Sequence, residues 1–163
     1  MVKTIVMRKF LIFCLSMFLL AFATSAFAQV KVTTPYKDLK VRVLRCAVIG
    51  DNCVVDMLFE NVGPRDIKIQ TNVDFNRAYD DAGNEYNTSY DNTIFFYVGD
   101  MKNNIPGFNK DVNFMSEIPV KVRAELKNIS EIATEIRRLD LVFWLATTLD
   151  RPTVRISNIP ISR

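Results

Sequence analysis

The stretch LKVRVLRCAVIGDNCVVDMLFE at residues 39–60 decides the fold. In its first half Leu39, Val41 and Val43 alternate with Lys40 and Arg42. In its second half Val55, Met57 and Phe59 alternate with Asp56, Leu58 and Glu60. A period of two belongs to a strand with one face on a core and the other in water. Between the halves, Gly50-Asp51-Asn52 is turn chemistry. The stretch therefore reads as a β-hairpin.

The same alternation recurs downstream. Val120, Val122, Ala124 and Leu126 alternate with Lys121, Arg123 and Glu125, the cleanest such run in the chain. Residues 139–146 are a near-continuous apolar run containing Trp144, as in a central strand covered on both faces. Residues 154–161 supply a last strand, with Pro160 at its end, where an edge or terminal position tolerates the missing N–H. Turn signals separate the runs: Asn61-Val62-Gly63-Pro64-Arg65-Asp66, then Asp80-Asp81-Ala82-Gly83-Asn84 before Glu85-Tyr86, then Asp150-Arg151-Pro152. About seven or eight short strands so punctuated imply an antiparallel β-sandwich. One segment has a different period. Leu126, Ile129, Ile132, Ala133, Ile136 and Leu139 recur at helical spacing, with Asn128 and Glu131 placed like a capping box. Residues 129–137 are accordingly expected to form a short connecting helix.

Residues 1–28 stand outside this pattern. Lys3, Arg8 and Lys9 precede an apolar run over residues 10–22, and Ala26-Phe27-Ala28 has the small-x-small form of a cleavage site. This is the three-part organisation of a secretory signal peptide. The expected organisation is thus a signal peptide over 1–28 and a single domain over 29–163, secreted or periplasmic. After cleavage no stretch approaches the roughly 18 apolar residues that a membrane-spanning helix needs. The formal charge of +3 also resides in the leader, since Lys3, Arg8 and Lys9 are its only charged residues and the rest of the chain is balanced. A nucleic-acid partner, which requires a cationic surplus, is not expected.

Two cysteines remain after cleavage, Cys46 and Cys53. In an exported chain an even pair flanking a turn reads as a structural disulfide across the hairpin. Closing an eight-residue loop is worth about 2.5 kcal/mol in the chain-entropy model. Two thiols with no histidine and no second pair make a poor zinc site.

Catalytic signals are sparse. The chain has no histidine, which excludes Ser-His-Asp and Cys-His catalysis and histidine-ligated metals. The loop DDAGNE at residues 80–85 fails as an EF-hand: with Gly83 at position six, Ala78 and Ala82 occupy two of the three leading ligand positions. Asp80, Asp81 and Glu85 read as solvated loop residues. No cofactor, no metal and no enzymatic activity are expected. The positive hint is aromatic: Tyr86, Tyr90, Phe95, Phe96, Tyr97 and Phe108 fall close together. Phe95 and Tyr97 must face one way in a strand and Phe96 the other. Phe96, Tyr97 and Phe108, beside a long loop over residues 99–113, are the candidate partner-binding residues.

The segments FENVG at 59–63, DDAGNEY at 80–86 and IPVKVRAELKNI at 118–129 resemble those of small secreted bacterial proteins with an immunoglobulin-like β-sandwich and no assigned activity. The resemblance implies an extracytoplasmic bacterial domain and carries over no catalytic residue. It lacks the Cys-Trp-Cys arrangement of immunoglobulins, because Trp144 lies beyond both cysteines. Together these readings point to an exported, non-enzymatic binding or accessory module of the bacterial envelope, with a protein or glycan partner. The alternative is an assembly subunit that packs strands or faces against other copies. Intact-mass measurement of the exported protein should give a chain starting at Gln29 and two hydrogens lighter than the dithiol. A mass retaining Met1, or both thiol hydrogens, would refute the respective expectation.

Overall fold

The computed structural model describes residues 29–71, 75–88, 93–99, 111–144 and 151–163. Among them are eleven strands: β1 Lys31–Thr33, β2 Leu39–Ile49, β3 Asn52–Asn61, β4 Ile67–Thr71, β5 Arg77–Asp80, β6 Glu85–Asn87, β7 Ile94–Val98, β8 Asp111–Phe114, β9 Val120–Leu126, β10 Glu135–Trp144 and β11 Thr153–Pro160. They form two antiparallel sheets. One has the order β2-β3-β9-β7; the other runs β1-β11-β10-β4-β8, with β5 on β10 and β6 on β5. The count exceeds the expected seven or eight because short strands such as β1 and β6 give no alternation signal of their own. No described helix is long and apolar enough to cross a membrane.

The opening hairpin forms as its pattern dictates, with Leu39↔Asn61 to Ile49↔Asn52 in register. Leu39, Val41, Val55, Met57 and Phe59 face inward and join Leu139, Leu141, Phe143, Val154 and Ile156 of the other sheet in one core. Phe59 is the rivet between the layers, 5.7 Å from Phe114 and 6.2 Å from Phe143 between ring centroids. Burying a side chain of this size contributes about 1.5–3 kcal/mol by transfer alone. As expected, β10 is central, flanked by β11 on one side and by β4 and β5 on the other, and residues 139–143 are all buried.

The expected helix over 129–137 is not formed. Residues 129–134 make a turn, with Ala133 N–H donating to the Ser130 carbonyl at 3.1 Å, and β10 begins at Glu135. Asn128 takes a left-handed φ of 53°, not the extended backbone of a helix cap. Ile132, which should have faced the core, is 77% exposed. The helical spacing has another origin. Arg137 and Arg138 both point outward, so Ile136 and Leu139, three apart, both point inward. Opposite them, β11 turns Ile156 and Ile159 inward with Asn158 at φ 60° between them. A strand that steps over one residue acquires a spacing of three, which mimics a helix.

The same device operates in β2. The register shifts between Val43 and Arg45, leaving Leu44 as the extra residue of a bulge. Leu39, Val41 and Val43 are inward before it; Cys46 is inward after it.

A buried amide ties the ends of four strands together. Asn61 donates from Nδ2 to the carbonyls of Arg65 (2.8 Å) and Phe114 (2.9 Å), and its Oδ1 accepts from Gly63 N–H at 3.0 Å. The next residue, Val62, donates its N–H to the Asp38 carbonyl. Gly63 is required here for space, because a Cβ would lie 2.8 Å from that of Asp38. Asn61 has no solvent exposure, so removing its amide strands three backbone groups. Asn61→Ala should cost about 2–4 kcal/mol in urea-unfolding measurements. A cost under ~1 kcal/mol would show that water replaces the lost bonds.

Candidate functional site

The outer face of the four-stranded sheet is built from the alternate residues that the core leaves over. Three registers align one transverse row: Tyr97↔Arg123, Arg123↔Asp56 and Asp56↔Arg45. Asp56 is the keystone. Arg45 donates to its Oδ2 from Nε and Nη2 at 3.1 and 2.6 Å, and Arg123 Nε donates to its Oδ1 at 2.7 Å. Partial desolvation pushes this carboxyl upward, but the Arg123 and Arg45 hydrogen bonds outweigh it and hold it below the ordinary range. The next row, Phe95↔Glu125↔Val54↔Ala47, carries Glu125, which accepts from Asn52 Nδ2 at 2.8 Å. Lys127 Nζ sits 4.1 Å above the Phe95 ring.

This face carries Lys40, Arg42, Arg45, Lys121, Arg123 and Lys127 against Asp56, Glu60 and Glu125. The cations on this face outnumber its carboxylates, in a chain balanced over 29–163. Among the described residues Lys40, Arg42 and Lys121 make no ion pair. Leu44, Arg45, Asp56, Lys121 and Arg123 line a shallow depression of about 380 Å³. The outer face of the other sheet differs. There Asp140, 6% exposed, is clamped by Arg138 and by Arg155, whose Nε donates to Oδ1 at 2.8 Å. Arg77 lies 3.9 Å from Glu85. Arg138 and Arg155 are held within the sheet, while the outward Arg137 makes no ion pair among the described residues. Desolvation raises the Asp140 carboxyl, and the hydrogen bonds from Arg138 and Arg155 more than reverse it.

Of the residues singled out in the sequence, Tyr97 lies half-buried on the cationic face, where burial, then the Glu125 charge, raises its phenol above the ordinary value. Phe96 is a core residue: 4% exposed, it lies between the inward Ile94 and Val98 and packs edge-on against Phe143 at 5.8 Å. Its parity with the core side of β7 leaves Phe95, not Phe96, beside Tyr97. Phe108 lies outside the described residues, as does most of the 99–113 loop. The cations around Asp56 were passed over in the sequence because no two of the interacting strands' charges are adjacent in the chain.

Cys46 and Cys53 are buried diagonal neighbours on the inner face, since Cys46 pairs with Val55 and Cys53 with Val48. Both are thiols, with Sγ atoms 3.4 Å apart. The hydrogen bond between the two sulfurs, then burial, raises the Cys46 thiol; the same bond lowers Cys53 against the effect of burial.

In the DDAGNE loop Glu85 is exposed as expected and Asp81 is part-buried, but Asp80 is not solvated. Asp80, 3% exposed, accepts from Asn84 N–H and Nδ2 and from the Tyr86 hydroxyl at 2.8–2.9 Å. Desolvation first, then this bond to Asp80, pushes the Tyr86 phenol up to about 12. Asp81 accepts from the Thr134 N–H and hydroxyl and from Glu135 N–H. Asp80 closes the hairpin on itself, and Asp81 fastens it to the 130–134 turn and the start of β10. No cluster of three potential metal ligands occurs among the described residues.

Comparison with known protein families, curated proteins and solved structures finds no match to this chain.

Asp56 and Asp140 have folded-state values below those of the unfolded chain, so their stabilisation is complete above about pH 4 and is lost as the pH falls through the folded values. Urea midpoints should therefore fall between pH 4 and pH 2. Asp140→Asn should flatten that decline while lowering stability at pH 7. An unchanged acid limb in this variant would assign the acid sensitivity elsewhere.

Proposed function

We propose that this protein is an exported, non-enzymatic binding module of the bacterial envelope, and that it binds through the outer face of its four-stranded sheet. The reading is carried by one observation: Lys40, Arg42 and Lys121, which make no ion pair among the described residues, are grouped beside the Asp56-centred row and the half-buried Tyr97. Cations grouped on one sheet face attract an anionic partner. The partner is a protein or a glycan. The three-part leader pattern of residues 1–28, with its cleavage motif at Ala26-Phe27-Ala28, supports the envelope location. A disulfide between Cys46 and Cys53, whose thiols already touch, suits an oxidising compartment. Kinship with immunoglobulin-like sandwiches belongs to the same reading, supported by two facing antiparallel sheets.

The test is sedimentation with isolated cell envelopes. The wild-type protein should pellet with them, the double variant Arg42→Glu/Lys121→Glu should stay in the supernatant, and Lys31→Glu/Lys68→Glu on the other sheet should behave as wild type. Equal pelleting of both double variants would remove the binding role from this face.

A further inference from the structure

The geometry points to an acidic polysaccharide as the occupant of this face, its carboxylates seated on Arg42, Lys121 and the outward guanidinium edges of Arg45 and Arg123. The proposal rests on the reading of the face as the binding surface and adds the chemistry of what binds.

Three features select this occupant. The first is pre-organisation. Asp56 grips Arg45 through Nε and Nη2 and Arg123 through Nε alone, leaving Nη1 of Arg45 and both Nη atoms of Arg123 without a hydrogen bond among the described residues. Guanidinium groups held by one carboxylate present their remaining donors in a set direction, suited to a second carboxylate.

The second is spacing. Arg42 and Lys121 both stand opposite Leu58, on strands either side of β3. Strands lie about 4.8 Å apart, so these cations repeat across the sheet at roughly 10 Å, with the arginine row alongside. A flat ladder of recurring cations matches a polymer of recurring anions better than one small molecule, which would need a pocket.

The third is the mixture of groups. The cations are interleaved with the acceptors Asp56, Glu60 and Glu125, and Tyr97 lies at the margin as a flat ring. A sugar acid offers carboxylates for the cations, hydroxyls for the acceptors and a C–H face for the ring. A phosphate backbone offers no donors to carboxylates and would be repelled by them. An obligate protein interface would place apolar anchors at its centre, where this face has an ion triad.

The experiment is calorimetric titration of the purified protein with polygalacturonate, neutral dextran, poly-glutamate and phosphatidylglycerol vesicles. Polygalacturonate should bind, with affinity falling as salt rises; dextran, poly-glutamate and vesicles should not. Arg42→Glu/Lys121→Glu should weaken that binding by about tenfold or more, as loss of two ionic contacts predicts. The milder Arg42→Ala/Lys121→Ala should weaken it in the same direction and serves if the reversal variant does not fold. No binding to polygalacturonate, equal binding to vesicles or poly-glutamate, or binding indifferent to both variants overturns the proposal. If envelope sedimentation still depends on Arg42 and Lys121 in that case, the binding face stands and only its ligand class is wrong.

Discussion

A β-strand turns every second residue inward, and this sandwich closes because three of its strands break that period. In β2 the bulge at Leu44 rephases the strand so that Cys46 joins the core. In β10 and β11 the paired irregularity at Arg137 and Asn158 lets both strands present apolar residues three apart. Beyond it, the chain leaves the large sheet and reaches the small one. Ser162 donates its N–H to the Cys46 carbonyl and accepts from Val48 N–H, both at 2.9 Å. The rephased half of β2 is therefore where the end of β11 docks, so the two departures from period are parts of one closure. They also cover that portion of the β2 edge, which would otherwise be open to pairing with another chain.

Carboxylates fasten what the apolar core does not reach. Asp80 closes the β5–β6 hairpin and Asp81 ties it to the turn before β10; Arg163, donating to the Ser130 and Ala133 carbonyls, holds that turn from the other side. Asp56 and Asp140 each cross-link arginines on the outer face of a sheet. The part-exposed pairs of Asp56 contribute about 0–1 kcal/mol each, so their effect lies more in orientation than in stability. On the large sheet Asp140 holds Arg138 and Arg155, while the exposed Arg137, Lys31 and Lys68 make no ion pair among the described residues. On the small sheet the Arg45–Asp56–Arg123 row has Lys40, Arg42 and Lys121 beside it, also without an ion pair among the described residues.

Much of the architecture was legible from local pattern. The hairpin over 39–60, the β9 alternation and the apolar centre of β10 all follow from period and turn chemistry, which depend on near neighbours alone. The same locality explains the misreading of 129–137. Spacing of three and four is ambiguous between a helix and a strand carrying a bulge, and only the partner strand resolves it. Phe96 was misplaced for a related reason: parity separates it from Phe95 and Tyr97 but does not say which side faces the core. Asp80 read as solvated because nothing in DDAGNE announces that Tyr86 and Asn84 will return to enclose it.

The sequence by itself determined a mainly β chain, the order of its main strands, the turn between the two cysteines and the balanced charge over residues 29–163. These are one-dimensional properties, set by which side chains can alternate, turn or be buried. Tertiary structure alone decided that Phe96 rather than Phe95 and Tyr97 faces the core, that residues 129–137 turn and bulge instead of coiling, and that Arg45, Asp56, Arg123 and Tyr97 form one row. Those residues lie on four strands scattered across the chain. Their meeting depends on register, and register is settled only when both sheets bury their apolar faces together.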